Sequence, residues 1–322
     1  MRFIGSTLAA LTLAFAAVQP VWSAWPEDRS IEVIVGFAPG GGTDLLARKL
    51  TPFLQKRLGE KAQFIVVNKP GAAGEIANAS LAQAKPDGYT IGIVNVPAFL
   101  YVPMVKKSQY KVEDFRLIAR LVDDPTVLVT RADSKYKSLS DVVSELRRKP
   151  ASISFGHNGT GSNGDLALVA LSSAAGVQVN AVPYKGTAAQ KTDLLGGHLD
   201  FGVISAGEVP ELHGGKTGQL KALAQFSEKR SNALPQVPTA KDEKVAVLMS
   251  SERGLAAPAA VPADIIKKLQ DAVEQTLRDP EFLAAAGGDA PVVAYLSGAQ
   301  WQQSLQQNSK VLRAVADKAP KQ

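Results

Sequence analysis

The chain has 322 residues, a formal net charge of +6 and no cysteine. Without cysteine there can be no disulfide, thiolate nucleophile or cysteine metal site. The histidines His157, His198 and His213 are scattered without metal-ligand spacing. Lys and Arg are spread along the chain with no basic run, which favours a solvated surface over nucleic-acid binding. We therefore expect no metal, no cofactor and no nucleic-acid partner.

Residues 1–23 have the layout of a secretory signal peptide. "MRFIGSTLAALTLAFAAVQPVWSA" begins with a basic residue, continues with an apolar stretch from Phe3 to Val18 and ends in small residues. This stretch is shorter than the roughly 20 residues of a spanning helix, so a retained membrane anchor is the less favoured alternative. The sequence predicts cleavage near Ser23 or Ala24 and a periplasmic mature protein.

Strands alternate with helices in the first half of the mature chain. "IEVIVGF", "AQFIVVN" and "PDGYTIGIV" are predicted strands, and a helix is predicted over residues 43–58, where leucines recur at four-residue spacing. "FRLIARL" and "PTVLVTR" are predicted as two further strands, separated by Val122–Asp124. "SLSDVVSELRRKP" follows as a capped amphipathic helix.

The same alternation then begins again. "SISFG", "VQVNAVPY" and "DFGVISA" are predicted strands with helices between them, and the chain ends in two amphipathic helices. This repetition predicts an α/β fold with two lobes. We place lobe 1 at residues 24–122 and 228–322 and lobe 2 at residues 123–227. Their loops follow strands at the edge where open α/β sheets bind ligands.

Two glycine-rich loops precede helices in this pattern. Gly40–Gly42 lack the Lys-Ser/Thr that would complete a Walker A motif. Gly159–Gly164 fits G-x-G-x-x-G, but Tyr184 and Lys185 stand where a dinucleotide site needs an acidic residue. Glycines allow a close backbone approach, and helix N-termini bind anions. The loops are therefore candidate anion sites.

Acid–base chemistry is the main alternative from the residues themselves. Asp44 and Asp165 each stand at a helix start, where a carboxylate favours the dipole and the exposed N–H groups. Ser162 lies outside a G-x-S-x-G motif, and no histidine is placed to act as its base. Helix capping is the favoured role of both aspartates, while an exported enzyme that uses Asp44 or Asp165 as acid or base stays open.

From about Ile31 to the C-terminal helix, the chain resembles the Bug-type substrate-binding proteins of tripartite tricarboxylate transporters. The likeness rests on "GFAPGGGTDLLARKL", "VNKPGAAGEIANASLAQAKPDGYTI", "YKVEDFRLIARL", "VPYKGTAAQKTDLLGGHLD", "LKALAQFSEKRSNALPQVPT" and "GLAAPAAVP". It implies a two-lobed, type II-like periplasmic binding-protein fold whose cleft closes on a small organic carboxylate. It also implies a non-enzymatic protein, expected to be a monomer, that delivers its ligand to the transporter's membrane subunits. A binder that serves a signalling sensor is an alternative.

The resemblance implies ligand-binding positions in loops of both lobes. They are Phe37, Ala38, Pro39, Gly40, Gly41, Gly42, Thr43, Asp44, Asn95, Pro97, Asn158, Gly159, Thr160, Gly161, Ser162, Asn163, Tyr184, Lys185, Gly186, Thr187, Ala188 and Ser205. This set has no arginine and one lysine, and Ser205 stands where the family usually has Asp. Neutral donors handle one or two carboxylates but compensate three poorly. We therefore expect a mono- or dicarboxylate without an amino group, and not citrate or an amino acid.

Overall fold

The structure is a computed structural model that describes residues 25–208, 218–232 and 234–317. The predicted signal peptide and its cleavage site lie outside these residues. Within the described part of the chain, none of the helices combines the length and the apolar character needed to cross a bilayer.

Strands and helices alternate along the chain, as predicted. The described strands are β1 (Ile31–Val35), β2 (Phe64–Asn68), β3 (Thr90–Val96), β4 (Phe115–Arg131), β5 (Ser154–His157), β6 (Asn180–Pro183), β7 (Phe201–Ser205), β8 (Leu220–Gln225), β9 (Ser250–Pro258) and β10 (Val293–Ser297). The described α-helices are α1 (Gly42–Leu58), α2 (Glu75–Ala82), α3 (Ala98–Val105), α4 (Leu139–Arg148), α5 (Asn163–Ala175), α6 (Thr187–Gly196), α7 (Ala263–Leu277), α8 (Pro280–Ala286) and α9 (Gly298–Ala316). The predicted helix over residues 43–58 is confirmed as α1.

The strands form a continuous curled sheet in the order β2-β1-β3-β9-β4-β7-β5-β6, with β8 and β10 also paired to β4. The neighbours β2, β1 and β3 are parallel, as are β7, β5 and β6. Antiparallel β9 and β4 join these two parallel groups. Loops at the carboxyl ends of the parallel strands therefore face each other across the middle of the sheet.

β4 differs from the sequence prediction, which placed a break at Val122–Asp124. The structure has one strand of 17 residues there. Its first part pairs with β9, in which Val122 lies opposite Arg253 and Asp124 opposite Ser251, and from Thr126 onward it pairs with β7. Aspartates are depleted in strands. The consecutive aspartates Asp123 and Asp124 nevertheless remain part of β4, because Asp124 is ion-paired to Arg253 of β9.

Each half of the sheet carries its own apolar core. In the first half, the predicted leucine stripe of α1 packs against β1, β3 and α7, and Leu46 and Leu54 are fully buried. In the second half, Phe155 of β5 and Phe201 of β7 stack with ring centroids 5.2 Å apart, beneath α4 and α5. The two cores form the two lobes that β4 and β9 connect.

Candidate functional site

Three helices begin at a cleft between the lobes. The N-termini of α1, α5 and α6 reach it, and its lining consists of Phe37, Gly41, Gly42, Thr43, Asn95, Val96, Pro97, Ala98, Asn158, Ser162, Asn163, Thr187, Ser205, Glu208, Ser251 and Arg253. A helix N-terminus carries about half a positive charge and N–H groups without helical partners. The cleft is therefore suited to an anion.

The two glycine loops are held in the same way. Gly40, with φ +80°, donates its N–H to Asp44 Oδ2 at 2.9 Å, and Gly161, with φ +83°, donates its N–H to Asp165 Oδ2 at 2.7 Å. In both lobes, a carboxylate four residues further on closes the loop onto the helix start. Both carboxylates hold their own loops in place through these hydrogen bonds, and neither lines the cleft.

Asp44 is almost completely buried, with a side-chain exposure of 2%. Burial acts to raise the pKa of this carboxyl, but hydrogen bonds from Arg48, the Gly40 N–H and Asn68 outweigh burial, and the pKa lies below its ordinary value. A general acid or base at neutral pH needs a pKa near the working pH. The environment of Asp44 thus favours a structural carboxylate that is ionised at neutral pH.

Each lobe also presents a threonine hydroxyl whose orientation is set by an asparagine. Asn95 Nδ2 donates to Thr43 Oγ1 at 2.9 Å in lobe 1, and Asn158 Nδ2 donates to Thr187 Oγ1 at 3.0 Å in lobe 2. Gln190 Nε2 donates to Asn158 Oδ1 at 2.6 Å, which fixes the orientation of that amide. A hydroxyl that accepts one hydrogen bond keeps its own proton to donate. The two threonines can therefore act as donors toward an anion.

The structure brings part of the predicted site together. The predicted residues that line the cleft are Phe37, Gly41, Gly42, Thr43, Asn95, Pro97, Asn158, Ser162, Asn163, Thr187 and Ser205. A neighbouring depression is lined by Gly159, Thr160, Tyr184 and Lys185, together with Phe37 and Asn158. The others lie in the supporting loops without lining the cleft: Ala38, Pro39, Gly40, Asp44, Gly161, Gly186 and Ala188.

Two charged residues of the cleft, Arg253 and Glu208, were not among the predicted ligand-binding positions. Arg253 is only 2% exposed and forms a buried ion pair with Asp124, although the site was expected to contain no arginine. Charged residues in the middle of the apolar run "SSERGLAAP" were the available signal, since a buried charge needs a partner. Glu208 follows Ser205 by three residues, in a segment for which no role was predicted.

Comparison with known proteins identifies the family. The model of the tripartite tricarboxylate transporter family receptor matches residues 46–319. The chain belongs to this receptor family. It is 33% identical over 272 residues to protein BugT of Bordetella pertussis, which covers 83% of this chain and 82% of BugT. The predicted resemblance to Bug-type proteins is confirmed.

Solved structures show the same fold as this receptor. The periplasmic binding protein BugD is 28% identical with a TM-score of 0.82, covering 90% of this chain and 97% of BugD. MatC from Rhodopseudomonas palustris with bound malate is 27% identical with a TM-score of 0.80, covering 90% of this chain and 99% of MatC. The two-lobed periplasmic binding-protein fold is thereby confirmed.

Replacement of Asp44 by Asn should make the stability of this receptor less dependent on pH. Because the folded-state pKa of Asp44 is lowered, its contribution is fully present above the unfolded value of about 3.9 and is lost as the pH falls through the folded value. We expect Asp44→Asn to be less stable than wild type at pH 7 in urea unfolding, with the difference shrinking below about pH 4.

Asp264→Asn is the matched control, because Asp264 is exposed in the first turn of α7. It removes the same charge from another helix start and should change stability far less. Parallel pH profiles for wild type and Asp44→Asn would contradict the structural role of this carboxylate.

Proposed function

We propose that this receptor captures a small organic mono- or dicarboxylate by lobe closure and delivers it to the membrane subunits of a tripartite tricarboxylate-type transporter. The main support for this proposal is that three helix N-termini and two oriented threonine hydroxyls converge on one cleft. Family membership supports the transporter partner. The malate bound to MatC supports a carboxylate as the ligand class.

The proposal includes the domain organisation and the location of the protein. We assign residues 1–23 to a signal peptide, residues 24–122 and 228–322 to lobe 1, and residues 123–227 to lobe 2, in a periplasmic monomer. The change of β4 from its β9 partner at Pro125 to its β7 partner at Thr126 supports the boundary near residue 123. One chain supplies both sides of the cleft, which supports a monomer as the binding unit.

Binding without catalysis is the proposed activity. The two aspartates considered as acid or base, Asp44 and Asp165, each accept a hydrogen bond from a glycine of their own loop. Arg253 is compensated by Asp124, so the free anion-binding capacity of the cleft comes from helix ends and neutral donors. Such a site suits one or two carboxylates, because a third would be a poorly compensated charge.

Calorimetry against a panel of acids tests the ligand class. We expect malate, succinate or an aromatic monocarboxylate to bind more tightly than citrate or glutamate, because the one basic side chain among the described lining residues, Arg253, is already ion-paired to Asp124. A thermal-shift screen is the first step, since a ligand at 100 times its dissociation constant adds about 2.7 kcal/mol of stability. Tightest binding by citrate or glutamate would contradict the charge argument.

Alanine at Gly42 should block the cleft. A Cβ at this position would lie 2.8 Å from Arg253 Nη1 and would collide with the Glu208 carboxylate, so it fills the space next to the α1 N–H groups. Gly42 is a helical residue, and alanine is favoured there. We expect Gly42→Ala to fold normally by circular dichroism and to bind malate about tenfold or more weakly, a loss of about 1.4 kcal/mol.

Gly41→Ala is the matched comparison for that variant. A Cβ at Gly41 would meet Ala38 O at 3.5 Å and Thr187 N at 3.9 Å, which are ordinary contacts. It should therefore lose far less affinity than Gly42→Ala. Equal affinities for the two variants would show that the start of α1 does not hold the ligand.

The lobes already touch beside the cleft. The Ala38 N–H of lobe 1 donates to the Lys185 carbonyl oxygen of lobe 2 at 3.3 Å. A Cβ on Gly186 would lie 3.7 Å from Ala38 Cβ, within the range of about 3.5–4.5 Å found in disulfides. This contact supports the proposal that the loops separate when a ligand enters the cleft.

A double variant, Ala38→Cys with Gly186→Cys, tests this gating, because the wild-type chain contains no cysteine. We expect the oxidised variant to take up no malate and reduction by dithiothreitol to restore uptake, as measured by calorimetry. Ala38→Cys alone, treated with the same oxidant, is the control. Equal malate binding by the oxidised and reduced double variants would contradict lobe opening.

A further inference from the structure

The carboxylate of Glu208 lies inside the cleft. Glu208 ends the short 3-10 helix Ala206–Glu208, which follows β7 in lobe 2. Its Oε1 accepts a hydrogen bond from the backbone N–H of Gly42, at the start of α1 in lobe 1. A side-chain carboxylate of the protein thus occupies the place that this helix N-terminus offers to an anion.

Two hydrogen bonds hold the backbone that carries this side chain. The Gly207 N–H donates to Asp124 Oδ1 at 2.9 Å, and Lys191 Nζ donates to the Glu208 carbonyl oxygen at 2.6 Å. Asp124 is itself ion-paired to Arg253, another residue of the cleft. Glu208 therefore reaches the cleft from a turn anchored on both sides.

Little space remains in the cleft with Glu208 in place. The cavity that is left measures about 30 Å³, enough for two or three water molecules, since one water needs about 10–15 Å³. A molecule such as malate is several times larger than water. In this arrangement of the lobes, malate and the Glu208 side chain cannot both occupy the cleft.

Charge repulsion, like the limited space, opposes binding of a ligand carboxylate beside Glu208. Two carboxylates side by side at one helix N-terminus repel each other, and the low dielectric of a closed cleft strengthens that repulsion. Arg253, the cation beside them, is already ion-paired to Asp124. A ligand carboxylate is accommodated only when the Glu208 carboxylate has moved away.

We propose that Glu208 is a tethered competitor that sets the affinity threshold of the receptor. Its carboxylate occupies the site of the ligand carboxylate in the unliganded protein, and a ligand binds only by displacing it. This inference rests on the proposed function of the cleft. A competitor of this kind lowers the affinity for every carboxylate by the same factor. An anion held only through its carboxylate, such as acetate, then binds too weakly to be captured. A ligand that contacts both lobes still binds.

Glu208→Gln tests the proposal, because it removes the charge that attracts this side chain to the positive end of α1 and that repels a ligand carboxylate. When the competent state is about a tenth of the population, a competitor that no longer holds the helix end leaves an affinity up to about tenfold higher. We expect malate to bind about tenfold more tightly to the variant in calorimetry, and acetate binding to increase by the same factor. Glu60→Gln, at an exposed residue after α1, is the control for net charge. Unchanged or weaker malate binding by Glu208→Gln would overturn the proposal, and weaker binding would show that Glu208 contacts the ligand.

A second measurement, which needs no added ligand, follows the amide group of Gly42. The amide resonance of Gly42 in a ¹⁵N–¹H spectrum should move in Glu208→Gln and stay in place in Glu60→Gln. A Gly42 resonance that does not respond to Glu208→Gln would overturn the proposal. If the resonance responds but neither protein binds any acid of the panel, the occupancy of the α1 N–H by Glu208 is supported and the proposed function of the cleft fails.

Discussion

The pairing of β4 with β9 is the constraint on which both lobes depend. These two antiparallel strands join the parallel groups of the sheet, and the buried ion pair between Asp124 and Arg253 connects them close to the cleft. Removing one partner of such a pair leaves an uncompensated buried charge, which is strongly destabilising. Asp124 also accepts the Gly207 N–H, so the same carboxylate fixes the turn that carries Glu208. The same carboxylate, Asp124, therefore holds together the strands that connect the lobes and positions the turn that enters the cleft.

In the proposed binding mode, backbone and neutral groups provide most of the anion affinity. The positive charge of Arg253 is used to hold the strands together, and Lys185 lies in the neighbouring depression. What remains for a ligand is the partial charge of the helix N-termini and the hydroxyls of Thr43 and Thr187. These groups are fixed in place by the fold, so little side-chain ordering accompanies binding.

Local patterns in the sequence predicted the parts of the fold that depend on local interactions. The leucine spacing of α1 and the glycine loops before α1 and α5 were sufficient, because helix periodicity and positive φ angles are encoded within a few residues. The repeated alternation of strands and helices predicted two lobes, and the family resemblance added the periplasmic binding-protein architecture. The predicted set still included Asp44, whose carboxylate faces its own loop, because residue type and position do not give the direction of a side chain.

Features that depend on distant partners were not accessible from the sequence. The acidic pair in β4 suggested a turn because its partner, Arg253, is 129 residues further along the chain. Glu208 could not be placed in the cleft because its hydrogen-bond partner Gly42 is 166 residues away, in the other lobe. The path of the sheet, rather than any local motif, brings these residues together.

The N-termini of α1 and α6 approach each other closely across the cleft. A Cβ on Gly41 would lie only 3.9 Å from the backbone nitrogen of Thr187, so the positive ends of α1 and α6 almost meet. Two like partial charges this close repel each other, and an anion between the lobes relieves that repulsion. In the proposed role of Glu208, the protein supplies this anion itself, and a closed receptor is then not the same state as a liganded one. A membrane partner that distinguishes these two states would have to recognise the position of segment 206–208 in addition to the degree of closure.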